Sequence, residues 1–294
     1  MVQIRAFIIF LSLLSSSLLF SQKLKQLSDL PEILKGSSGL ELTDAGSIWT
    51  INDHGKPVLY QLSRDSFDII NTVYLNNNMK DWEDLASDTL GNFYIGDFGN
   101  NKNDRRDLKI YIVPNPDSIT KKIFTAKIIR FKLSDQKAFP PGSGMLEFDI
   151  EAMIHFNNSI YLFSKSRGKP FKGEIKLYKL SDQPGEHIAQ LMDTFYTGDG
   201  SMFENWITGA ALIEKRNVLA LLSHNNIFFF SCFEDDDFFS GKFQAYPLSH
   251  FSQKEAIDFD EIEMRLLITD ELTSGILGGK IYSLELPETI EFCD

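Results

Sequence analysis

A short motif recurs five times along the 294-residue chain, and this repetition limits the fold more than any other feature of the sequence. The clearest copy, residues 81–101, reads DWEDLASDTLGNFYIGDFGNN. It leads from an acidic cluster through a Gly91-Asn92 turn to a β-rich run and a loop that carries an aspartate. Two β-rich runs joined by such a turn are typical of a β-hairpin. The other copies begin near residues 38, 149, 207 and 254, so the chain repeats one hairpin unit.

Each hairpin is followed by a third predicted strand and, in most copies, by a fourth. The third strands span residues 58–62, 109–113, 175–180, 227–233 and 280–286. The fourth strands span residues 67–75, 126–133, 189–197 and 242–248. Four-stranded units repeated about a ring predict an all-β fold, a β-propeller, in which neighbouring sheets cover each other. A β-sandwich is the alternative, but it does not explain a motif that recurs in phase.

The same repeat predicts how many blades there are and how the ring closes. We count five blades, and a sixth blade within residues 114–147 is the alternative count. Residues 23–30 precede the first copy just as the outer strands precede the others. We therefore expect the N-terminal strand to complete the last blade and close the ring. Residues 288–293 compete for that position.

The first 21 residues have the order of a secretory signal peptide. Arg5 precedes an apolar run at residues 6–14, and Ser21 offers a small residue at the expected cleavage point. A retained membrane anchor is the alternative, although serines interrupt the run and it is short for a spanning helix. We expect residues 22–294 to form a single β-propeller domain, exported to the periplasm or outside the cell, with no membrane span after cleavage. There, Cys232 and Cys293 either form a disulfide bond or stay free.

The formal net charge of −12 restricts the partners of the chain. An acidic surface repels nucleic acid and anionic membranes, so neither is expected as a partner. The same charge is compatible with bound cations. We expect a monomer whose partner is a small molecule or a protein at the mouth of the central channel.

Equivalent residues of the repeats should gather at one mouth of that channel. In a propeller the first strand of each blade lines the channel, and a hairpin returns to its starting side. One column, at the start of the first strands, contains Ser38, Glu83, Glu151, Thr208 and Glu255. A second column, at the end of the second strands, contains Asp53, Asp97, Lys165, His224 and Asp270. Together the two columns would surround the mouth with carboxylates.

Carboxylates crowded at one mouth raise one another's pKa unless a cation neutralises them. Their hard oxygen atoms suit Ca²⁺ or Mg²⁺. We predict a Ca²⁺ site whose ligands are Glu83, Glu151, Glu255, Asp97 and Asp270. The predicted contacts to a ligand at the mouth are Asp53, Lys165, Ser38 and Thr208. The alternative is structural, with the carboxylates accepting hydrogen bonds from backbone N–H groups of the neighbouring blade.

His224 and Lys165 add different chemistry to the second column. A histidine beside carboxylates is a candidate general base, and a lysine is a candidate partner for a phosphate or carboxylate. The alternative for both residues is a salt bridge within the ring. The sequence contains no nucleophile elbow and no phosphate-binding glycine loop.

Six segments carry a resemblance to known proteins: SGL, DWEDLA, IGDFGNN, DIEAM, ITGAAL and KEAIDF. They resemble a group of exported, uncharacterised bacterial β-propeller proteins over nearly the whole mature chain. More distantly the chain is similar to calcium-dependent propellers of the phytase-like, gluconolactonase-like and strictosidine synthase-like kinds. That distant resemblance implies Ca²⁺ in the channel, hydrolysis of an ester or lactone nearby, and metal-facing positions at Glu83, Glu151 and Glu255.

This chain departs from the distant pattern where Ser38, Thr208 and Lys165 interrupt the acidic columns. It also lacks a phytase-type set of basic residues for several phosphates. We therefore favour a non-catalytic propeller that binds a small molecule or a protein, with a divalent cation at its acidic mouth. The alternative is a Ca²⁺-dependent hydrolase of a phosphoester, ester or lactone, with His224 as the base. Whether the chain is an enzyme stays open from the sequence.

Overall fold

The computed structural model describes residues 24–120, 123–273 and 275–293, and the predicted signal peptide at residues 1–21 lies outside them. An N-terminal strand comes first, β1 (Lys25–Asp29). The first unit contains β2 (Ser37–Leu42), β3 (Ile48–Asn52), β4 (Val58–Leu62) and β5 (Ile69–Leu75). The second contains β6 (Trp82–Ser87), β7 (Phe93–Asp97), β8 (Lys109–Val113), the two-residue β9 (Ile123–Phe124) and β10 (Lys127–Leu133).

The remaining units have the same order of strands. The third contains β11 (Asp149–Phe156), β12 (Ser159–Lys165), β13 (Glu174–Ser181) and β14 (Gly185–Tyr196). The fourth contains β15 (Gly209–Ile213), β16 (Val218–Leu222), β17 (Asn226–Ser231) and β18 (Lys242–Pro247). The fifth contains β19 (Lys254–Asp260), β20 (Arg265–Asp270) and β21 (Lys280–Glu285). Helical segments are short: α1 (Met202–Asn205) and 3-10 turns at Glu32–Leu34, Pro116–Ser118, Ser143–Met145, Glu214–Arg216 and Phe238–Ser240.

Apart from the two-residue β9, strands that follow one another within a unit pair antiparallel, so each unit is a small meander. The outer strands β10 and β14 also pair with each other, in parallel, and join the second and third units into one eight-stranded sheet. Residues 114–147 therefore supply β9, which pairs with β5, and the outer strand β10. Within the described residues of that segment no further sheet is formed.

The innermost strands form a closed ring around the channel. Strand β6 contacts β2 and β11, β15 contacts β11 and β19, and β19 contacts β2. The outer position of the fifth unit is taken by β1, which pairs with β21 from Lys25 opposite Ser283 to Asp29 opposite Lys280. The predicted all-β propeller and its closure by the N-terminal strand are confirmed. Residues 288–293 do not take that position.

The core lies between neighbouring units rather than within one sheet. Inner strands are buried on both faces, and every residue of β16 is buried. Outer strands alternate instead, as β10 does. Each of the five apolar clusters contains residues of two adjacent units; Trp49 and Trp82, for example, pack together between the first and second. A unit therefore depends on its neighbours for its core.

A disulfide bond joins Cys232, just after β17, to Cys293 near the C-terminus. Of the two alternatives for these cysteines, a disulfide bond or free thiols, the structure has the disulfide bond. It ties the C-terminal segment to the fourth unit. Gln244 of β18 supports the same contact by donating to the hydroxyl of Thr289 at 2.7 Å. Among the described residues no helix has the length and apolarity needed to cross a membrane.

Candidate functional site

Three glutamates reach the channel mouth because each lies at a β-bulge of an innermost strand. In the pairing of β11 with β12, Ile150 lies opposite Ser164 and Ala152 opposite Phe163, so Glu151 is left out of the ladder. Glu255 is left out between β19 and β20 in the same way. Between β6 and β7, Glu83 and Asp84 together lie opposite Gly96, so this strand too has one extra residue. A bulge re-aims the side chain of the extra residue. All three carboxylates line one cavity at the channel mouth.

In the first unit the bulged residue is Gly39, because Ser38 pairs with Ile51 and Leu40 with Thr50. Counted back from the first paired residue after the bulge, Ser38 and Glu83 are equivalent, and both lie one residue before the position of Glu151 and Glu255. Gly39 has φ +75°, and a Cβ there would lie 2.9 Å from the backbone nitrogen of Leu85 in the second unit. Glycine is required at this position because the next strand packs directly against it.

Ser38 and Thr208, the two hydroxyl residues of the first column, connect neighbouring units. The Ser38 hydroxyl donates to the backbone carbonyl of Glu83 at 2.6 Å. The Thr208 hydroxyl donates to the backbone carbonyl of Lys254, also at 2.6 Å. Ser38 lines the cavity, whereas Thr208 does not. Both residues therefore have a structural role, and Ser38 can in addition contact a ligand.

The cavity has a volume of about 100 Å³ and an excess of negative charge. Its carboxylates are Asp53, Asp81, Glu83, Glu151, Glu255 and Glu271. Its cations are Lys165 and Arg167. Six acids facing two bases in so small a volume call for a further source of positive charge, either protons or a bound cation.

The two cations neutralise one side of the cavity. The Nζ atom of Lys165 lies 2.8 Å from Oε2 of Glu151, and Nη2 of Arg167 lies 3.0 Å from Oε1. Burial favours the neutral acid, but Lys165 and Arg167 together outweigh it and hold the pKa of Glu151 below its ordinary value. Arg167 also pairs with the buried carboxylate of Asp149. Glu151 is thus ionised and already has partners.

Glu83 has no such partner. Its side chain lines the cavity and is 7% exposed, and in the part of the chain that the structure describes no group donates a hydrogen bond to its oxygens. Burial raises the pKa of Glu83 well above its ordinary value, and the charges of Glu151 and Asp81 raise it further. A buried carboxylate in this condition is stable when protonated or beside a cation.

Asp81 converges on Glu83 because Gly99 leaves room for both. A Cβ at Gly99 would overlap Oε1 of Glu83 and lie 2.6 Å from Oδ2 of Asp81. Burial, with the charge of Glu151, raises the pKa of Asp81 to about 6. These two carboxylates are the least compensated pair on the wall of the cavity.

Asp97 and Asp270 do not line the cavity, which corrects their predicted place at the mouth. Both are completely buried. Asp97 lies 2.8 Å from Arg105 and 3.4 Å from Lys109 of β8. Asp270 accepts from the Lys280 backbone N–H at 2.8 Å and from the Tyr282 hydroxyl at 2.7 Å. Each aspartate turns back toward the third strand of its own unit, where the sequence Lys-Ile-Tyr occurs at residues 109–111 and 280–282.

Two other aspartates form the blade-to-blade hydrogen bonds that were considered for the glutamates. Asp84 accepts from the backbone N–H of Met153 at 2.8 Å, and Asp258 accepts from that of Leu42 at 2.6 Å. Asp84 thereby links the second unit to the third, and Asp258 links the fifth to the first. The structural alternative is realised, but by different residues.

His224 lies beneath the rim of the mouth, with 5% of its surface exposed. Its ring stacks on that of Phe203 at a centroid distance of 6.0 Å, and Trp206 and Phe251 lie around it. Nε2 is 3.5 Å from Oε1 of Glu255, and within the described residues neither ring nitrogen has a hydrogen-bond partner. His224 does not line the cavity. As a general base it has a neighbouring carboxylate but no direct access to the cavity.

Four residues of the mouth lie outside the predicted ligands and contacts: His54, Asp81, Arg167 and Glu271. Each lies in a loop one or more residues beyond the motif columns, where strand periodicity no longer indicates direction. The signal that was available is their adjacency, since His54 follows Asp53 and Glu271 follows Asp270.

A second, larger cavity of about 830 Å³ lies at the other end of the inner strands, where the hairpin turns are. Glu41 and Asp258 line it, as does Glu214 at its edge. Burial raises the pKa of Asp258 to about 7. Both mouths of the channel are therefore acidic.

No family model matches the sequence, and a search of curated proteins gave no match either. Solved structures of β-propellers do match. Glutaminyl cyclase from Myxococcus xanthus is 11% identical, with a TM-score of 0.51, over 89% of this chain and 95% of that one. The PQQ-bound aldose sugar dehydrogenase from Streptomyces coelicolor is 11% identical, with a TM-score of 0.48, over 90% and 98%. Virginiamycin B lyase from Staphylococcus aureus is 14% identical, with a TM-score of 0.42, over 88% and 69%. At these identities the similarity shows the fold alone.

Proposed function

We propose that the channel mouth binds a divalent cation, Ca²⁺, and through it a small molecule or a partner protein. The observation that carries this proposal is Glu83, a carboxylate that is 7% exposed, faces the cavity and has no partner among the described residues. A bound cation would remove the cost of burying that charge. The excess of acids on the cavity wall supports the same conclusion.

The chemistry of the donor set fits Ca²⁺. Asp81 and Glu83 converge at Gly99, and Glu255 lines the same cavity, so every protein donor is oxygen. Glu151 lines the cavity too, but Lys165 and Arg167 already hold its two oxygens. Ca²⁺ accepts six to eight oxygen ligands in flexible geometry, and water completes a set of this size. We leave Asp97 and Asp270 out of the ligand set because other side chains and backbone N–H groups hold their oxygens.

The small volume of the cavity favours recognition of a charged or hydroxyl-bearing group over enclosure of a whole substrate. Lys165 and Arg167 are available beside the cation to contact an anionic group, although each also pairs with Glu151. Asp53 and Ser38 complete the lining on the side of the first unit. The proposed activity is thus ligand binding at the mouth.

A Ca²⁺-dependent hydrolase is the second candidate, and the contact between His224 and Glu255 supports it. A base of this kind would need the aromatic side chains around His224 to admit water or substrate. The expected result for a hydrolase is ester, lactone or phosphoester cleavage that needs Ca²⁺ and is lost in His224→Asn. Equal rates in the variant and the native protein would reject His224 as the base.

We further propose that the protein is exported, to the periplasm or the outside, and acts as a monomer. The disulfide bond between Cys232 and Cys293 supports export, because such bonds persist in oxidising compartments. Sedimentation of the mature protein tests the monomer.

Calorimetric titration with Ca²⁺ tests the proposed site. We expect saturable binding to the native protein and a loss of at least about tenfold in affinity for Glu83→Gln, which removes the charge and keeps the shape. Glu214→Gln is the matched control, because Glu214 lies at the opposite mouth. Absence of binding to the native protein, or equal affinity in both variants, would make Glu83 a buried neutral acid and would contradict the proposal.

A further inference from the structure

We infer a second metal site at the rim of the same mouth, formed by Asp53, His54 and Glu271 and suited to a transition metal such as Zn²⁺. Each residue offers one ligand atom, and the three atoms all lie within 4.8 Å of one another. The set shares no residue with the proposed Ca²⁺ ligands, but the inference rests on the proposed function in one respect, since both use the observation that the Glu83 carboxylate has no partner.

The fold brings the three residues together from two neighbouring units. Asp53 and His54 follow β3 of the first unit, and Glu271 follows β20 of the fifth. The Nδ1 atom of His54 faces Oδ1 of Asp53. The backbone at Gly36 passes directly beside them: a Cβ there would lie 2.5 Å from Cε1 of His54 and 2.7 Å from Oδ1 of Asp53. The arrangement therefore depends on a glycine at that position.

The cation nearest to these two carboxylates is His54 itself, which pairs with Asp53 when it is protonated. Among the described residues no lysine or arginine forms an ion pair with Asp53 or Glu271, and Lys165 is held by Glu151. Gln253 orients Glu271 by donating its amide N–H to Oε2. Partners of this kind commonly fix the ligands of a metal.

A second observation points to a cation at this mouth independently of the triad. Asp53 and Glu271 line the same cavity as Glu83, which is 7% exposed and whose carboxylate has no hydrogen-bond partner among the described residues. His224, buried nearby against Glu255, likewise has no hydrogen-bond partner for either ring nitrogen within that part of the chain. Buried polar groups without partners are rare in proteins, and a bound ion is one of the few explanations for them.

The ligand types select the class of metal. One imidazole with two carboxylates suits Zn²⁺ and its neighbours, whereas Ca²⁺ prefers oxygen alone. Zn²⁺ forms bonds of about 2.0–2.2 Å to nitrogen and oxygen, so small side-chain rotations close the triad around one ion. Three protein ligands leave a further position for water or for a ligand of the mouth. The side chain of His54 is 72% exposed, so an ion can enter from solvent.

Titration of the tag-free protein with Zn²⁺, followed by calorimetry and by the visible absorption of bound Co²⁺, tests the inference. We expect His54→Ala to weaken Zn²⁺ binding by at least about 100-fold, because loss of a ligand exceeds the 10–100-fold effect of losing an outer partner. His54 is exposed, so the variant should fold. His187→Ala is the matched control, since His187 lies on the outer strand β14. Absence of Zn²⁺ binding to the native protein, or equal binding to both variants, would overturn the inference.

The two sites can be tested separately. If both exist, His54→Ala loses Zn²⁺ and keeps Ca²⁺, whereas Glu83→Gln loses Ca²⁺ and keeps Zn²⁺. If the native protein binds Zn²⁺ but not Ca²⁺, the proposed function is rejected and the Zn²⁺ site stands. An equal loss of Zn²⁺ binding in Glu83→Gln and His54→Ala would show one shared site and overturn the separate triad.

Discussion

The protonation state and the role of each carboxylate in this channel depend on the groups that pair with it. Glu151 is ionised between Lys165 and Arg167, Asp84 accepts backbone N–H groups of the next unit, and Glu83 has no partner among the described residues. The three residues are of similar chemistry and all are buried. Their roles differ because hydrogen bonding and nearby charge, rather than burial alone, decide which form of an acid is stable.

Removing the carboxylate of Asp84 should weaken the contact between the second and third units. Asp84→Ala leaves the backbone N–H groups of Met153 and Leu85 buried without an acceptor. We expect a loss of about 2–4 kcal/mol in the free energy of unfolding, because each such group costs about 1–3 kcal/mol. Urea denaturation measures the loss. Asp44→Ala, at an exposed position, is the control, and equal midpoints for the two variants would contradict the prediction.

The acids of the mouth should make the protein less stable as the pH rises. Burial, together with the charges of Asp53 and Glu255, raises the pKa of Glu271 from 4.5 to about 7. Burial also raises the pKa of Asp81 from 3.8 to about 6. Between pH 4 and 7 the folded state therefore binds more protons than the unfolded state, so stability falls as the pH rises through that window.

Thermal unfolding in the presence of a chelator measures this effect. The melting temperature should fall between pH 4.5 and 7.5, and the fall should be smaller in Glu271→Gln. Carboxylates whose pKa is lowered by cations, such as Asp260 beside Arg64, titrate below this window and do not mask it. A melting temperature that rises through the window would contradict the assignment.

Among the single elements, the bulged innermost strand matters most for the site, because the bulge directs side chains of the repeated motif into the cavity. It directs Glu83, Glu151 and Glu255 into one cavity from three different units. In the first unit the same bulge holds Gly39 against the backbone of the second unit. The same backbone feature therefore directs carboxylates into the cavity in three units and allows close packing of the backbone in the first.

Gly39→Ala should be far more damaging than a substitution at another glycine of left-handed conformation. A Cβ at Gly39 would clash with the backbone of Asp84 and Leu85. In addition, the φ of +75° is unfavourable for alanine. We expect a loss of about 2–4 kcal/mol, by combining strain of about 1 kcal/mol with an overpacked contact. Gly55→Ala is the matched control: Gly55 has φ +96° and open space around it, so about 1 kcal/mol is expected. Similar losses in chemical denaturation of the two variants would remove the steric argument.

Much of the element pattern could be predicted from the sequence, because hairpin turns and strand alternation are local. The units, the closing strand and the gathering of three glutamates follow from that pattern. The bulge places Ser38 and Glu83 one residue before the position of Glu151 and Glu255, and alternation carries no sign of such a shift. The direction of Asp97 and Asp270 depends on partners in the third strand, so the motif columns alone could not assign it.

The whole molecule is held as a ring by its two ends. Strand β1 completes the fifth unit, and the disulfide bond attaches the C-terminal segment to the fourth. Each apolar core is shared by two units, so opening the ring at one interface exposes the core there. Closure at the ends therefore stabilises more than the ends themselves.

Removing the disulfide should lower global stability. The bond spans 61 residues, and a loop of that length predicts about 4 kcal/mol of stabilisation through the unfolded state. We expect Cys232→Ser/Cys293→Ser to lose that amount in urea denaturation. Adding a reductant to the native protein should give the same loss and should leave the double variant unchanged. An unaltered midpoint after reduction would show that the bond contributes nothing to closure.

The pairing of β1 with β21 also fixes an order of events in time. The first described strand of the chain to be synthesised finds its partner in the last one, from Lys25 opposite Ser283 to Asp29 opposite Lys280. Until β21 (Lys280–Glu285) has been synthesised, the leading segment has no sheet to join and the fifth unit cannot be finished. Such a long-range contact forms late and slowly. The ring thus closes only after β21 has been made, and a chain in transit through a translocation pore would stay open until that strand had passed.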